Sequence, residues 1–126
     1  MPPSTAAPLD KRDWIADLLM LALGEPAALT LWLRHTTLKA YTSHTITDKA
    51  KLKTELSAIR VRGWAISEHQ LELGFRGIAV PLLNRDGELQ GGLNVSLVVG
   101  QESSADALAR VLPVLQETAR AMRGVL

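Results

Sequence analysis

The strongest constraint on the fold is a turn sequence between two runs of alternating residues. The turn is Asn84-Arg-Asp-Gly87. Residues Phe75 to Leu83 precede it and Glu88 to Val99 follow it, each with apolar side chains at every second position over most of its length. This alternation is typical of strands with one buried face, and an Asp-Gly pair tolerates the positive φ that a chain reversal needs. A β-hairpin is therefore predicted over residues 75–99.

On both sides of this hairpin, most of the chain has apolar side chains at helical spacing. A short strand, Trp64-Ala-Ile66, is predicted before the hairpin, with residues 67–74 as an irregular connection. Capping and stop residues predict helices that end near Leu23, His35 and Gly63, and a last helix that begins after Ser103 or Ser104. The order of three helices, three strands and one helix predicts an α+β fold, with helices packed on an antiparallel sheet.

Length and charge exclude several classes of protein. The 126 residues suit one domain, and residues 1–10, rich in Pro, Ser, Thr and Ala, are expected to form a disordered leader. With 14 basic and 13 acidic residues the net charge is +1, so no basic face for direct nucleic-acid contact is expected. No apolar run approaches the roughly 20 residues that cross a bilayer, so no membrane partner is expected.

No pattern of catalytic or metal-binding residues is present. The chain contains no cysteine, which excludes disulfides and thiolate chemistry and fits a cytoplasmic location. The histidines, His35, His44 and His69, lack the spacing of a metal pair, and no serine lies in the Gly-x-Ser-x-Gly motif of a hydrolase. No glycine-rich phosphate loop precedes a helix. We therefore expect no enzyme, no metal and no cofactor.

Small and polar residues at the hairpin allow two interpretations. Asn94 and Ser96 are two residues apart, so they share one face of a strand, and Gly77 can lie beside them on the neighbouring strand. They form either the floor of a pocket for a small polar ligand or the solvent-facing side of a half-exposed sheet, which is the more common arrangement. The role of Arg76 is equally open, since its side chain can meet an anion, lie at the sheet edge or pair with Glu72.

Six segments, taken in order, resemble the effector-binding domain of IclR-type transcriptional regulators. The resemblance covers about Leu23 to the C terminus. The sequence around Glu72-Leu-Gly74 is most similar to the PcaR/PcaU/PobR group, the branch that controls aromatic-acid breakdown through the β-ketoadipate pathway. The segments are Tyr41 to Asp48, Leu52 to Leu56, Ile59 to Ala65, Leu71 to Pro81, Asn84 to Gly87 and Leu93 to Ser96.

The resemblance implies a GAF-like sensory fold with a pocket for a small acidic effector on one face of the sheet. The residues that occupy the pocket positions of the family are Ser67, Gly77, Asn94 and Ser96. Asn94 and Ser96 would donate hydrogen bonds to a carboxylate or hydroxyl, and Gly77 would leave room for the ligand. Protocatechuate and 4-hydroxybenzoate are the acids to expect, and the function implied is control of catabolic genes.

The chain also differs from the pattern of this family. Its members carry a separate N-terminal winged helix-turn-helix domain and act as dimers or tetramers, whereas this chain is expected to lack that domain and the first strands of the sensory domain. Residues 11–126 are thus expected to form a partial effector domain. Ile15-Ala-Asp-Leu18 stands where the family has a segment like Ser-x-Gly-Arg, and Gln70 replaces an expected Glu.

Two functions follow from these observations. The first is a ligand-sensing module that binds a carboxylic acid and forms a homo-oligomer. The alternative is an interaction protein that binds no ligand and pairs with protomers of a full-length regulator. Because a shortened sheet exposes unpaired backbone groups at its edge, self-association of the isolated chain is expected in either case.

Overall fold

The computed structural model describes residues 14–126, so the expected leader over residues 1–10 lies outside the described part. The α+β prediction is confirmed, and no helix in the described range is long and apolar enough to cross a membrane. The elements in chain order are α1 (Trp14–Leu23), α2 (Pro26–His35), α3 (Lys49–Arg62), β1 (Ala65–Glu68), β2 (Phe75–Leu83), β3 (Leu89–Val98), α4 (Ser104–Met122) and a short 3₁₀ helix (Arg123–Val125).

The strands form one antiparallel sheet in the order β1-β2-β3. The predicted hairpin is confirmed: β2 and β3 pair along their length, and Gly87 adopts a φ of +81° in the turn. The prediction for β1 was wrong at its boundaries. The strand begins one residue later, and it includes Ser67 and Glu68, because these two residues pair with Gly77 and Arg76 of β2.

Helices cover both faces of the sheet. On one face α1 packs on β2 and β3, with α3 behind it, around Leu19, Leu56 and Ala79. On the other face α4 packs on β2 around Ile78 and Leu115. Two separate apolar layers therefore stabilise the sheet, and residues alternate between them along each strand.

Local capping sets the bounds of α3, and its predicted end at Gly63 is confirmed. The Asp48 side chain accepts a hydrogen bond from the Ala50 backbone N–H at 2.8 Å. Gly63 ends the helix with a φ of +83°, and its N–H donates to the Ile59 carbonyl at 2.7 Å. Side-chain capping at one end and a left-handed glycine at the other satisfy backbone groups that the helix leaves unpaired.

Candidate functional site

Small and polar residues from three strands lie side by side on the face of the sheet that α1 covers. Antiparallel pairing sets Ser67 of β1 opposite Gly77 of β2, and Gly77 opposite Ser96 of β3. Asn94 lies two residues before Ser96, so its side chain is on the same face. The structure thus brings together all four residues to which the family resemblance assigns ligand binding. Their role in binding stays a prediction.

These four residues line a cavity of about 270 Å³. The volume lies near the lower end of the roughly 300–1,000 Å³ that is usual for ligand pockets, so the cavity suits a small molecule. The lining combines apolar side chains with neutral polar ones and two charged residues: Ile15, Ser67, Gln70, Leu71, Glu72, Phe75, Arg76, Gly77, Asn94, Val95 and Ser96.

Two glycines let α1 lie close to the sheet beside this cavity. A Cβ atom at Gly92 would lie 3.4 Å from Leu19 Cδ2. A Cβ atom at Gly77 would lie 3.4 Å from Ile15 Cγ2 and 3.3 Å from Ser67 Oγ. Because Gly77 is part of the cavity lining, its missing side chain leaves backbone accessible to a ligand.

Exposure differs across the site. Ser67 is buried, with 8% of its surface exposed, whereas Asn94 and Ser96 on β3 are exposed. The cavity is therefore closed towards β1 and open towards β3. A ligand entering from the β3 side would meet the exposed amide and hydroxyl before it reaches the buried hydroxyl.

The segment between β1 and β2 forms the rim of the cavity. Gln70 is one of its polar residues that line the cavity. The Trp14 indole Nε1–H at the start of α1 donates a hydrogen bond of 3.0 Å to Gln70 Oε1. Trp14 is only 2% exposed. This bond connects the first turn of α1 to the rim, across 56 residues of sequence.

Threonines from the loop between α2 and α3 hold this rim in place. Thr42 Oγ1 donates to the His69 carbonyl and Thr45 Oγ1 donates to the Gln70 carbonyl. The Gly74 backbone N–H donates to His69 Nδ1 at 2.9 Å. His69 has a φ of +58°, a conformation that is uncommon for a residue with a side chain, so the surrounding hydrogen bonds stabilise a strained position.

Sequence reasoning identified four strand residues of the site, Ser67, Gly77, Asn94 and Ser96, and missed the rim residues and Phe75 at the start of β2. Gln70 was noted as a difference from the family pattern and was not assigned to the pocket. Leu71 and Phe75 were not assigned to it either. Irregular segments carry no periodicity that shows which way their side chains face, so the only available signal was the substitution at Gln70.

Arg76 belongs to the opposite face of the sheet. Its Nε donates to Glu68 Oε1 at 2.7 Å, and its Nη atoms lie 3.4 Å from the Glu102 carbonyl oxygen. Arg76 is 3% exposed. The structure places Arg76 on the central strand in an internal ion pair with Glu68, so the expected pairing with an acid occurs with a different residue from the Glu72 named above.

A second ion pair lies at the entry to α4. Arg110 donates two hydrogen bonds to the Glu102 carboxylate, at 3.0 and 2.7 Å. These hydrogen bonds lower the pKa of the Glu102 carboxyl below its ordinary value and raise the pKa of the Arg110 guanidinium. Both groups stay charged at neutral pH, on the side of the sheet away from the cavity.

The arrangement is suited to recognition by hydrogen bonding. Hydroxyl and carboxamide groups, such as those of Ser67, Gln70, Asn94 and Ser96, donate and accept hydrogen bonds and do not titrate near neutral pH. Within residues 14–126 no group of three His, Asp or Glu side chains is placed to hold a metal ion.

Comparison with known proteins places the whole architecture in one family. Residues 18–123 match the family model described as bacterial transcriptional regulator IclR C-terminal. The match spans both layers of helices and all three strands, and therefore includes every strand residue of the cavity.

Two relatives are regulatory proteins by name. The chain is 34% identical over 102 residues to the Pca regulon regulatory protein of Pseudomonas putida, covering 81% of the chain and 35% of that protein. It is 33% identical over 95 residues to the p-hydroxybenzoate hydroxylase transcriptional activator of Acinetobacter baylyi, covering 75% of the chain and 35% of that protein. The chain thus spans about a third of the length of these relatives.

A solved structure shows the same fold with a ligand. A double mutant of the PobR transcription factor inducer-binding domain from Acinetobacter, in complex with 3-hydroxybenzoic acid, superposes with a TM-score of 0.85 at 28% identity. The superposition covers 94% of the chain and 67% of that domain. The expected effector-domain architecture is therefore confirmed.

Proposed function

The chain belongs to the IclR family of bacterial transcriptional regulators, whose C-terminal domain it matches, and from that membership we propose that its cavity binds a small aromatic carboxylic acid as an effector. The family and the relatives are transcriptional regulators and not enzymes. The resemblance to the Pca and PobR regulators is confirmed by the relatives.

One observation carries the proposal: Ser67, Gly77, Asn94 and Ser96 line a single cavity in a domain that shares its fold with the PobR domain bound to 3-hydroxybenzoic acid. In the proposed complex the aromatic ring lies against the apolar part of the lining. The amide of Asn94 and the hydroxyl of Ser96 donate to the acid or to a ring hydroxyl. The backbone at Gly77 allows the ring to approach closely.

An effector in this position would touch the sheet, α1 and the rim at once. The lining includes residues of all three strands, Ile15 of α1 and the rim between β1 and β2. Binding would fix these elements relative to one another, and in a regulator such ordering can be passed to a DNA-binding domain. We propose that the chain acts in this way in the cytoplasm, on genes for the breakdown of aromatic acids.

We expect a micromolar or tighter effector to raise the melting temperature of the protein. A ligand that binds only the native state adds about 2.7 kcal/mol of stability at a hundred times its Kd. For a domain of this size that corresponds to a shift of several degrees. Differential scanning fluorimetry with 3-hydroxybenzoate, 4-hydroxybenzoate and protocatechuate measures the shift. No shift with any of these acids, or with other aromatic acids, would contradict the proposal.

The variants Asn94→Ala and Ser96→Ala test the position of the effector. Loss of a hydrogen bond to a charged group costs about 1.5–3 kcal/mol, so binding should weaken by at least about tenfold. Gln90→Ala, at an exposed position of β3 outside the lining, and Ser57→Ala, exposed on α3, are the matched controls. If the controls weaken binding as much as the test variants, the effector lies elsewhere.

The free edge of β3 favours a second candidate function. Within residues 14–126 no strand pairs with the side of β3 away from β2, so its backbone N–H and C=O groups remain available for another chain. Such an edge suits a homo-oligomer or pairing with a full-length regulator. Sedimentation velocity at tens of micromolar should show association. A monodisperse monomer would exclude the homo-oligomer under these conditions.

A further inference from the structure

We infer that Gln70, oriented by Trp14, determines which effectors the cavity accepts, because it presents an amide donor to an oxygen of the ligand. The inference rests on the proposed function of the same cavity. It adds a specificity-determining residue on the rim to the four strand residues, and it defines the ligand by chemistry: a molecule that offers a hydrogen-bond-accepting oxygen, such as a carboxylate, at this point of the cavity.

The orientation of the Gln70 amide follows from its partner. An indole N–H can only donate a hydrogen bond, so the atom of Gln70 that faces Trp14 must be the oxygen. The amide nitrogen is then the atom left for a ligand, and no hydrogen bond uses it within residues 14–126. Gln70 is part of the cavity lining. The side chain therefore acts as a donor there, although a free glutamine could also turn its oxygen towards the ligand.

The surroundings hold this donor in place before any ligand binds. Trp14 is almost completely buried and lies edge-on to Tyr41, with ring centroids 6.5 Å apart. The backbone of Gln70 is fixed separately, by the hydrogen bond from Thr45 to its carbonyl. A donor that is already ordered loses little conformational entropy when a ligand binds, so its geometry can discriminate between ligands.

The charged residues that line the cavity leave neutral hydrogen-bond donors to bind an anionic ligand. The charged residues in the lining are Glu72 and Arg76, and the Arg76 guanidinium is paired with Glu68 on the other face of the sheet. In the described part of the chain no uncommitted cation therefore lines the cavity. Among the described lining residues an anionic group would therefore meet neutral donors, and a carboxylate at position 70 would remove one of them.

The substitution Gln70→Glu tests this role because it keeps the shape of the side chain and the oxygen that accepts from Trp14. Isothermal titration at neutral pH compares 3-hydroxybenzoate with the uncharged 3-hydroxybenzamide. We expect the Kd for the acid to rise at least about tenfold, because a donor is lost and a like charge is added. The Kd for the amide should change by less than about threefold, since its NH₂ group can donate to the new carboxylate.

Gln90→Glu adds the same charge at an exposed position of β3 outside the lining and should leave both Kd values unchanged. An unchanged Kd for the acid in Gln70→Glu would overturn the inference and leave the proposed function intact. Equal weakening of acid and amide, or equal weakening by Gln90→Glu, would also overturn it, since neither effect is selective. If the unsubstituted protein binds none of the three acids named above, the proposed function fails and the inference fails with it.

Discussion

Replacing Glu68 with alanine is expected to lower the free energy of unfolding by about 3 kcal/mol, one of the two largest effects predicted for this protein. The Arg76 side chain is only 2% exposed, and its close partner is the Glu68 carboxylate at 2.7 Å. Without Glu68 the guanidinium stays charged and keeps only the longer contacts to the Glu102 carbonyl. Removing one partner of a buried pair costs about 3–5 kcal/mol, and the lower value applies because Glu68 is 31% exposed.

Urea unfolding followed by circular dichroism measures this loss. Glu55→Ala is the matched control: Glu55 also pairs with an arginine, Arg62, at 3.1 Å, but both side chains are about 30% exposed. That control should cost no more than about 1 kcal/mol. The double variant Glu68→Ala with Arg76→Met removes the buried charge and should recover much of the loss. A loss for Glu68→Ala no larger than that for Glu55→Ala would show that solvent reaches the Arg76 guanidinium.

Replacing Leu19 with alanine is expected to cost about 2–5 kcal/mol, the range for large cavities in a core. Leu19 is 0% exposed, and it lies where α1 meets the sheet beside Gly92. The same helix carries Ile15 into the cavity lining and Trp14 to the rim. Loosening of α1 should therefore weaken effector binding as well as stability.

Thermal unfolding with and without 3-hydroxybenzoate separates these two effects of the Leu19 substitution. Leu73→Ala makes the same chemical change at a residue that is 65% exposed, and it should alter stability by no more than about 0.5 kcal/mol. If Leu19→Ala lowers stability while the ligand-induced shift stays as large as in the unsubstituted protein, α1 does not position the cavity wall.

The β2–β3 hairpin illustrates how much of the fold is local. The alternation of apolar residues and the Asp-Gly turn predicted both strands to within a residue of their observed ends. The end of β1 was less predictable. Ser67 and Glu68 carry no strong strand preference, and they become part of β1 because Gly77 and Arg76 stand opposite them. Pairing with a distant segment overrode the local pattern.

The candidate site divides in the same way. Asn94 and Ser96 share a face by strand geometry, and their position beside Gly77 follows from the hairpin register. The sequence left open whether that face was a pocket floor or a solvated surface. The structure shows a pocket at this face, because Ile15 of α1 and the rim between β1 and β2 form its walls.

The sequence by itself was sufficient for the helices, the β2–β3 hairpin and the face that each of its residues occupies, because these depend on backbone geometry over a few neighbouring residues. The depth of the cavity, the pairing of Arg76 with Glu68 and the contact of Trp14 with Gln70 required the folded chain. The cavity and the Trp14–Gln70 contact join segments up to 56 residues apart. Even the nearer Arg76–Glu68 pair forms across two strands, and no periodicity encodes which side chains meet when helices and strands pack together.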